Sequence, residues 1–301
     1  MLFLEKTRRQ GVAAAILLIY IIPIVLGLFF TPPAIKSDET SQCLSAGQAV
    51  AAAEAMEADQ GYQPAEISVL SAGDEPMPDN NSFGVPKNPP AGPEQKLIAL
   101  TFDDGPGKYT ESLLDALRER DVKVSFFVIG ERIEKYPGIL KRMADDGHEI
   151  GNHTMTHPYG IGISPKRMRR ELKQCSRLIK KHTDQTPRLM RFPYGAMDKL
   201  SRREAKEQGL VSILWSVDTE DYRLKNVKKI IKKAYQPQPY GVQDGAIVLM
   251  HDIHKASVKA AVVIIDRLIG EGYRIVTVSE MFEARGKKLK PGKSYSSAAK
   301  E

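Results

Sequence analysis

The sequence predicts an α/β domain: a compact barrel, closed or incomplete, of about seven parallel strands covered by helices. From Lys96 onward, short apolar runs alternate with segments whose apolar residues recur at helical spacing. The apolar runs are nearly continuous, which is typical of parallel strands buried on both faces. We place this domain at residues 96–284, after a predicted transmembrane helix and a linker.

The elements of the domain follow one another in a regular βα order. The predicted strands are KLIALTF, VKVSFFVI, HEIGNH, LMRFP, VSILWSV, AIVLMHD and YRIVTVS. The predicted helices are YTESLLDALRER, EKYPGILKRMADDG, SPKRMRRELKQCSRLIKKH, DKLSRREAKEQG, NVKKIIKKAY and SVKAAVVIIDRLIGEG. Several of these helices end in glycine, a common helix stop. The lysine-rich segment 285–301 that follows the domain is predicted to be a disordered basic tail.

The N-terminus predicts a membrane anchor. Residues 11–30 carry no charge, match the thickness of a bilayer core and follow Lys6, Arg8 and Arg9. Because basic flanks stay in the cytoplasm, we expect 1–31 to be a cytoplasmic stub and single-pass signal anchor with the remaining chain outside the cell. A cleavable signal peptide is the alternative, but its apolar core is usually shorter, and the TPPAIKS that follows is a poor cleavage site.

Residues 32–95 have the composition of an extracellular linker. An alanine-rich stretch gives way to proline and glycine, and acidic residues outnumber lysines. The whole chain has a formal net charge of +7, so the domain after this acidic segment is more basic still. For an exported domain, this charge favours anionic wall polymers or a membrane surface over nucleic acid, for which there is no recognition motif. With only Cys43 and Cys175, no disulfide framework is implied.

Ionisable and polar residues stand at the carboxyl ends of five predicted strands. Ligands of parallel α/β folds gather at this edge, because the strand ends meet there. Each residue alone has a structural explanation as a turn or capping residue, but together they predict one site. They are Asp103 and Asp104, His153 and His157, Arg191 and Tyr194, Asp218 and Asp221, and His251 and Asp252.

The spacing of two histidines predicts a metal centre. His153 and His157 are four residues apart and can turn to the same side of a helical turn. One of the adjacent carboxylates Asp103 and Asp104 would complete a two-histidine, one-carboxylate site with open positions, while the other works as a base. Such a site suits metal-assisted hydrolysis, in which a histidine elsewhere protonates the leaving group.

Five short motifs, in this order and with these gaps, carry a family resemblance. TFDDG, HTMTH, RFPY, DTEDY and LMH resemble the motifs of the polysaccharide deacetylases of carbohydrate esterase family four, also called the NodB-homology domain. The resemblance covers Lys96 to Phe282 and leaves the anchor, linker and tail outside it. It implies a hydrolase that removes acetyl groups from N-acetylated sugars, that is, one acting on linear amide bonds.

The resemblance also implies the roles of individual residues around the metal. Asp103 would be the general base, oriented by Arg191. Asp104, His153 and His157 would bind one divalent ion, usually zinc, with cobalt or manganese as alternatives. These roles follow from the match of each residue to its motif.

The later motifs imply the acid and the oxyanion donor. His251 matches the general acid that protonates the departing amine, and Asp221 matches the carboxylate that pairs with it and raises its pKa. Tyr194 matches the residue whose backbone N–H steadies the oxyanion.

Three further residues are expected to line the substrate pocket: Leu249 as the wall for the acetyl methyl group, together with Pro193 and Tyr222. The chain departs from the family pattern at Tyr222, where many members have tryptophan. This change keeps an aromatic wall but adds a hydroxyl.

The expected substrate is an extracellular glycan, most simply the N-acetylglucosamine of peptidoglycan. The first motif continues GPGKYT, as in relatives that act on N-acetylglucosamine units. A chitin-type oligosaccharide deacetylase and a non-catalytic domain that binds wall glycan are the alternatives. The expected partners are this glycan and the membrane, without nucleic acid.

Overall fold

The computed structural model of the protein describes residues 84–92 and 94–299. These residues form an α/β fold, as predicted. The strands are β1 (Lys96–Asp103), β2 (Ser125–Val128), β3 (Glu149–Asn152), β4 (Leu189–Met190), β5 (Val211–Ile213), β6 (Val217–Asp218), β7 (Ile247–His251), β8 (Tyr273–Ile275) and β9 (Ser294–Tyr295). The helices are α1 (Thr110–Glu119), α2 (Gly130–Lys135), α3 (Pro137–Asp145), α4 (Pro165–Thr183), α5 (Lys199–Glu207), α6 (Asp221–Leu224), α7 (Val227–Ala234), α8 (Lys255–Gly270) and α9 (Val278–Ala284).

The sheet is an incomplete barrel of parallel strands. Its order is β6-β7-β1-β2-β3-β4-β5-β9, with β8 beside the start of β1, and every strand pair is parallel. The two outermost strands, β6 and β9, are not paired with each other. The prediction of parallel strands is confirmed. The described strand count exceeds the predicted seven, because the VSILWSV run divides into β5 and β6 and the C-terminal segment adds β9.

Side chains of β1 alternate between two hydrophobic layers. Ile98, Leu100 and Phe102 pack in the large cluster that the outer helices cover. Leu97 and Ala99 face the other way, into a second cluster formed with β2, β4, β5, β7 and α9. This alternation is the period-two pattern of a strand. It separates a helix-covered face from an inward face.

The inward face becomes polar toward the carboxyl ends of the strands. On β1 the inward row continues from Ala99 to Thr101 and Asp103, and on β7 it runs from Ile247 to His251. Apolar side chains therefore fill the lower part of the barrel, while ionisable ones collect at its rim. The register that buries the core also sets the position of the site.

The predicted linker ends earlier than residue 95. The Asn88 side chain donates a hydrogen bond to Ile275 O (2.8 Å) and accepts one from Ile275 N (2.9 Å), so it pairs with β8 like a short strand. The last part of segment 32–95 thus belongs to the folded domain. Among the described residues no helix is long and apolar enough to cross a membrane. The predicted anchor, residues 1–31, lies outside them.

The prediction of a disordered tail over residues 285–301 is wrong for its described part. Strand β9 pairs with β5, and Ala298 is buried and donates its N–H to Gly245 O (2.8 Å). The Tyr295 ring packs edge-on against Phe282, with 5.2 Å between ring centroids. The lysine-rich composition concealed these few apolar residues, which cover the inner cluster of the barrel.

The predicted helix over residues 134–147 is broken in two. The Tyr136 backbone leaves the helical region, with φ −132° and ψ 54°, and Pro137 starts a new helix at its first position. A proline disfavours helical geometry in the residue before it and is well tolerated at a helix start. The break therefore follows from Pro137 itself.

Candidate active site

Three predicted metal ligands converge at the rim. The Asp104 Oδ1 atom lies 3.3 Å from His153 Nε2 and 3.2 Å from His157 Nε2, and one ligand atom from each residue falls within 4.8 Å of the others. Asp104 Oδ1 is buried without a hydrogen-bond partner. Burial alone would raise the pKa of Asp104, but the two histidines outweigh it and hold the pKa well below the usual value. A buried, ionised oxygen facing two imidazoles fits a divalent cation.

The orientation of His153 suits metal binding. Its Nδ1 atom lies 2.8 Å from the backbone oxygen of Arg191, an acceptor only, so the N–H is on Nδ1. The lone pair is then on Nε2, which points to Asp104. A histidine held by its other ring nitrogen in this way is the usual arrangement in metal sites.

The histidine pair is carried by a loop, and the predicted helical turn is wrong. After β3 the chain takes left-handed conformations at Thr154 (φ 69°) and His157 (φ 57°). Two side chains stabilise these turns: Asn152 Oδ1 accepts the Thr154 N–H (2.7 Å), and Thr154 Oγ1 accepts the His157 N–H (3.1 Å). Local side-chain hydrogen bonds of this kind compete with helix formation. The loop still brings His153 and His157 together, with 5.0 Å between ring centroids.

Glu171 on α4 holds the same loop from outside. Its Oε2 accepts the backbone N–H groups of Met155 (3.1 Å) and Thr156 (2.8 Å), and its Oε1 accepts the Thr156 hydroxyl (3.0 Å). The Glu171 side chain is buried. These bonds fix the segment between the two histidines. The sequence analysis missed this residue, because nothing local links a helix glutamate to a loop fifteen residues before it.

Asp103 and Arg191 form a buried ion pair, as the family resemblance implied. Arg191 Nη1 donates to Asp103 Oδ1 (2.7 Å) and to Thr101 Oγ1 (2.9 Å). Its remaining N–H groups donate to the backbone oxygens of Ile213 (3.1 Å) and Leu214 (3.0 Å). Burial lowers the pKa of the Arg191 guanidinium below its ordinary value, because its effect is larger than that of Asp103, which raises the pKa. One oxygen of Asp103 is thereby fixed, and the other lies 3.8 Å from His153 Nε2.

His251 and Asp221 form the second pair. His251 Nδ1 lies 2.8 Å from Asp221 Oδ1, and Asp221 Oδ2 accepts the His251 backbone N–H (2.8 Å). Burial lowers the pKa of His251, but the charge of Asp221 overcomes this and raises the pKa to about 10. The expected rise is therefore present. His251 Nε2 lies 3.9 Å from Asp104 Oδ2, and His251 is the register partner of Asp103 on the neighbouring strand.

The remaining predicted residues lie around this centre. Tyr194, in the 3-10 turn Pro193–Gly195, has a left-handed backbone (φ 60°), and its ring packs on His157 at 4.8 Å. The Tyr222 ring packs edge-on against His251 at 5.7 Å. Leu249 is buried two residues before His251, on the same face of β7. Pro193 is buried in its turn.

Asp252 supports the loop that carries Asp104. It is fully buried, and its Oδ2 accepts the Thr110 hydroxyl, which in turn accepts the Gly107 N–H (2.8 Å). A Cβ at Gly105 would lie 2.4 Å from Asp252 Oδ2, so only glycine permits this approach. The sequence placed Asp252 at the rim but gave it no role. Its position after a strand end was the available signal.

The arrangement can perform hydrolysis. Asp104, His153 and His157 would hold a divalent cation, and two further groups lie next to these ligands: the fixed carboxylate of Asp103 and the imidazole of His251, whose pKa is raised to about 10. A carboxylate can remove a proton from water, and a protonated imidazole can give one to a leaving group. These are the parts of a metal-assisted hydrolase.

Known proteins are similar to this chain in sequence and in fold. The family model "Polysaccharide deacetylase" matches residues 91–213. A peptidoglycan-N-acetylglucosamine deacetylase of Bacillus cereus is 36% identical over 206 residues, which cover 66% of this chain and 92% of that protein. The peptidoglycan-N-acetylmuramic acid deacetylase PdaC of Bacillus subtilis is 36% identical over 212 residues, 70% of this chain and 44% of PdaC. Its solved structure superposes with a TM-score of 0.61 at 36% identity, covering 65% of this chain and 94% of that one.

A further relative sets the limits of the comparison. The peptidoglycan-N-acetylglucosamine deacetylase PgdA of Listeria monocytogenes is 39% identical over 216 residues, covering 71% of this chain and 44% of PgdA. The chain thus spans less than half the length of PgdA and of PdaC. The coverage of the shorter relative and of the solved domain is nearly complete, so the chain belongs to the polysaccharide deacetylase family.

Proposed function

We propose that the protein is a metal-dependent hydrolase that removes acetyl groups from the N-acetylglucosamine units of peptidoglycan. The observation that carries this proposal is that both the Asp103–Arg191 and the Asp221–His251 pairs lie next to the Asp104, His153 and His157 cluster: Asp103 Oδ2 is 3.8 Å from His153 Nε2, and His251 Nε2 is 3.9 Å from Asp104 Oδ2. The family relatives named as peptidoglycan deacetylases support the choice of glycan.

The proposal assigns each step of the hydrolysis to a residue. When bound, a divalent ion, most simply zinc, polarises the amide carbonyl and acidifies water. Asp103, held by Arg191, takes a proton as the water oxygen adds to the carbonyl carbon. The Tyr194 backbone N–H is assigned to the oxygen that becomes negative. The C–N bond then breaks, and His251 gives its proton to the nitrogen, which leaves acetate and a glucosamine unit with a free amine.

Acetate release is the direct test. The purified full-length chain is given isolated peptidoglycan and N-acetylglucosamine oligomers, first with zinc and then with a chelator. We expect release that stops on chelation and returns with zinc, cobalt or manganese. Asp103→Asn should abolish release, whereas Asp145→Asn, at an exposed position on α3, should not. Full activity in protein shown by elemental analysis to be free of metal would disprove the mechanism.

The same experiment decides between the glycan alternatives. Analysis of the digested product shows whether glucosamine or muramic acid carries the free amine. Faster turnover of chitin oligomers than of peptidoglycan would favour the chitin-type alternative. A folded, metal-loaded protein that retains peptidoglycan in a pull-down but releases no acetate would be a binding domain.

We also propose that residues 1–31 anchor the protein in the membrane with the enzyme domain outside. The uncharged segment 11–30 and the basic residues before it support this. Membranes washed with alkaline carbonate should retain the protein, and external protease should digest its domain in intact cells. A mature N-terminus after residue 30 would instead show that the segment is a cleaved signal.

A further inference from the structure

Three of the five large apolar side chains that are exposed among the described residues lie at the rim that carries the metal cluster. The large hydrophobic residues that are exposed in the described part of the chain are Val85, Tyr159, Ile161, Leu200 and Tyr240. Three of them, with 39–48% of their surface exposed, lie in two segments at the rim: the loop after β3 and the start of α5. Exposed apolar groups gathered on one surface mark an interaction site.

One carboxylate joins these two segments. Asp198 Oδ2 accepts the Gly162 N–H (3.0 Å), while its Oδ1 accepts the N–H groups of Leu200 (2.9 Å) and Ser201 (2.8 Å) as the cap of α5. Burial raises the pKa of Asp198, but these donors outweigh it and lower the pKa, so the clamp stays ionised. The loop and the helix start are therefore held as one surface.

A second contact ties the loop to the turn that carries Tyr194. A Cβ on Gly160 would lie 2.1 Å from the backbone oxygen of Ala196, so the two backbones are packed tightly. The Tyr159 and Tyr194 rings lie 5.9 Å apart between centroids, and the Tyr194 ring lies 4.8 Å from that of His157. Aromatic side chains thus run without a gap from a metal ligand to the exposed Tyr159.

We propose that Tyr159, together with Ile161 and Leu200 of the two joined segments, is a shelf that binds the sugar ring next to the one being deacetylated, in the same glycan chain. This proposal rests on the proposed deacetylase function. A pyranose ring presents apolar C–H groups on its faces and hydroxyls at its edge. A tyrosine ring offers a flat apolar surface with a polar tip, which suits such a partner. The shelf makes the protein selective for polymers over single sugars.

The test compares substrates of increasing length. Acetate release by the full-length protein is measured on N-acetylglucosamine, its dimer and its longer oligomers up to the pentamer. For the unmodified protein we expect kcat/KM to rise with length. Tyr159→Ala should lower kcat/KM for the pentamer about tenfold, a loss typical of one stacking contact, and leave the monosaccharide unchanged. Tyr159→Phe keeps the ring and should behave like the unmodified protein.

The matched control is Tyr240→Ala. Tyr240 is the more exposed tyrosine (66%) and lies in the loop before β7, at the opposite end of the strands. Its removal should change neither the kcat/KM nor its dependence on length. An equal loss with Tyr240→Ala would show a general surface effect and overturn the proposal.

A binding measurement separates the shelf from the chemistry. Calorimetric titration of the pentamer into Asp103→Asn protein, with and without Tyr159→Ala, measures the contribution of the shelf to the Kd while no substrate is turned over. A tenfold weaker Kd in the double variant supports the shelf, even if acetate release fails and the proposed function is overturned. An unchanged Kd, or a Tyr159→Ala loss that is equal for monosaccharide and pentamer, overturns the shelf while leaving the deacetylase function intact.

Discussion

Replacing Arg191 tests whether Asp103, the proposed base, is also part of a structural ion pair. The Arg191 side chain is completely buried, donates to Thr101 and Asp103, and satisfies the backbone oxygens of Ile213 and Leu214. Arg191→Met keeps much of the volume and removes every donor. The substitution therefore leaves one buried carboxylate and two buried carbonyl groups without these partners.

The expected loss of stability is large. Removing one partner of a buried ion pair costs about 3–5 kcal/mol, because the other charge is left uncompensated. Each buried carbonyl left unsatisfied would add about 1–3 kcal/mol, although entering water reduces this and the terms are not additive. We therefore expect a decrease of about 3–5 kcal/mol in the free energy of unfolding, a large part of the roughly 5–15 kcal/mol of a typical domain.

Equilibrium urea unfolding measures this decrease. Circular dichroism follows the whole domain, and the fluorescence of Trp215, the single tryptophan of the chain, reports locally, because its ring lies 5.5 Å from the Arg191 guanidinium. Arg203→Met is the matched control. The Arg203 side chain is 55% exposed and forms ion pairs with Glu204 and Glu207, so its loss should change the stability by less than about 1 kcal/mol.

A second variant identifies the cause. If the unpaired charge of Asp103 dominates, adding Asp103→Asn to Arg191→Met should recover part of the lost stability. A loss below about 1 kcal/mol for Arg191→Met, or a double variant less stable than the single one, would refute the argument that Arg191 stabilises the fold by compensating the buried charge of Asp103.

Three other perturbations probe the site and the fold. Glu171→Gln should weaken zinc binding about 10–100-fold in a chelator competition, because the loop loses charged acceptors; an unchanged affinity would exclude this positioning role. Asp221→Asn removes the charge that raises the pKa of His251 to about 10, so the acid loses its proton at lower pH. In the dependence of kcat on pH, the fall on the basic side should then move to lower pH. If this fall stays where it is, His251 is not the acid. Both profiles are taken with the same metal, so its charge is constant. Deleting residues 286–301 should lower the midpoint of thermal unfolding, because β9 and Ala298 leave the core; an unchanged midpoint would mean that the segment adds no stability.

Strand ends were the part of the site that the sequence could predict. A parallel sheet brings its carboxyl ends to one edge, so the order of strands and the residues after them were sufficient to bring Asp103, Arg191 and His251 together. The contacts Arg191–Asp103 and His251–Asp221 were expected from the family motifs and are present. Their roles in the reaction remain predictions.

Contacts made through space were the part that sequence could not predict. Glu171 reaches the histidine loop from a different element, and Asp198 joins the loop to α5. The loop itself depends on left-handed residues that local propensity disfavours, such as Thr154. The prediction for the tail was wrong for a related reason. Its lysines suggested a solvent-exposed, disordered segment, whereas its pairing with β5 and the burial of Ala298 depend on contacts with distant residues.

The two adjacent aspartates show how one strand can supply both the proposed base and a predicted metal ligand. Asp103 is the last inward position of β1, so strand alternation alone directs it to Arg191 in the barrel. In a continuing strand Asp104 would face the helices. Its left-handed backbone (φ 70°) turns it instead toward His153, and the close approach of Gly105 to Asp252 keeps the chain in this turn. The different roles proposed for the two carboxylates therefore depend on where the strand ends. If β1 continued by one residue, Asp104 would turn away from the histidines, while Asp103 would still face Arg191.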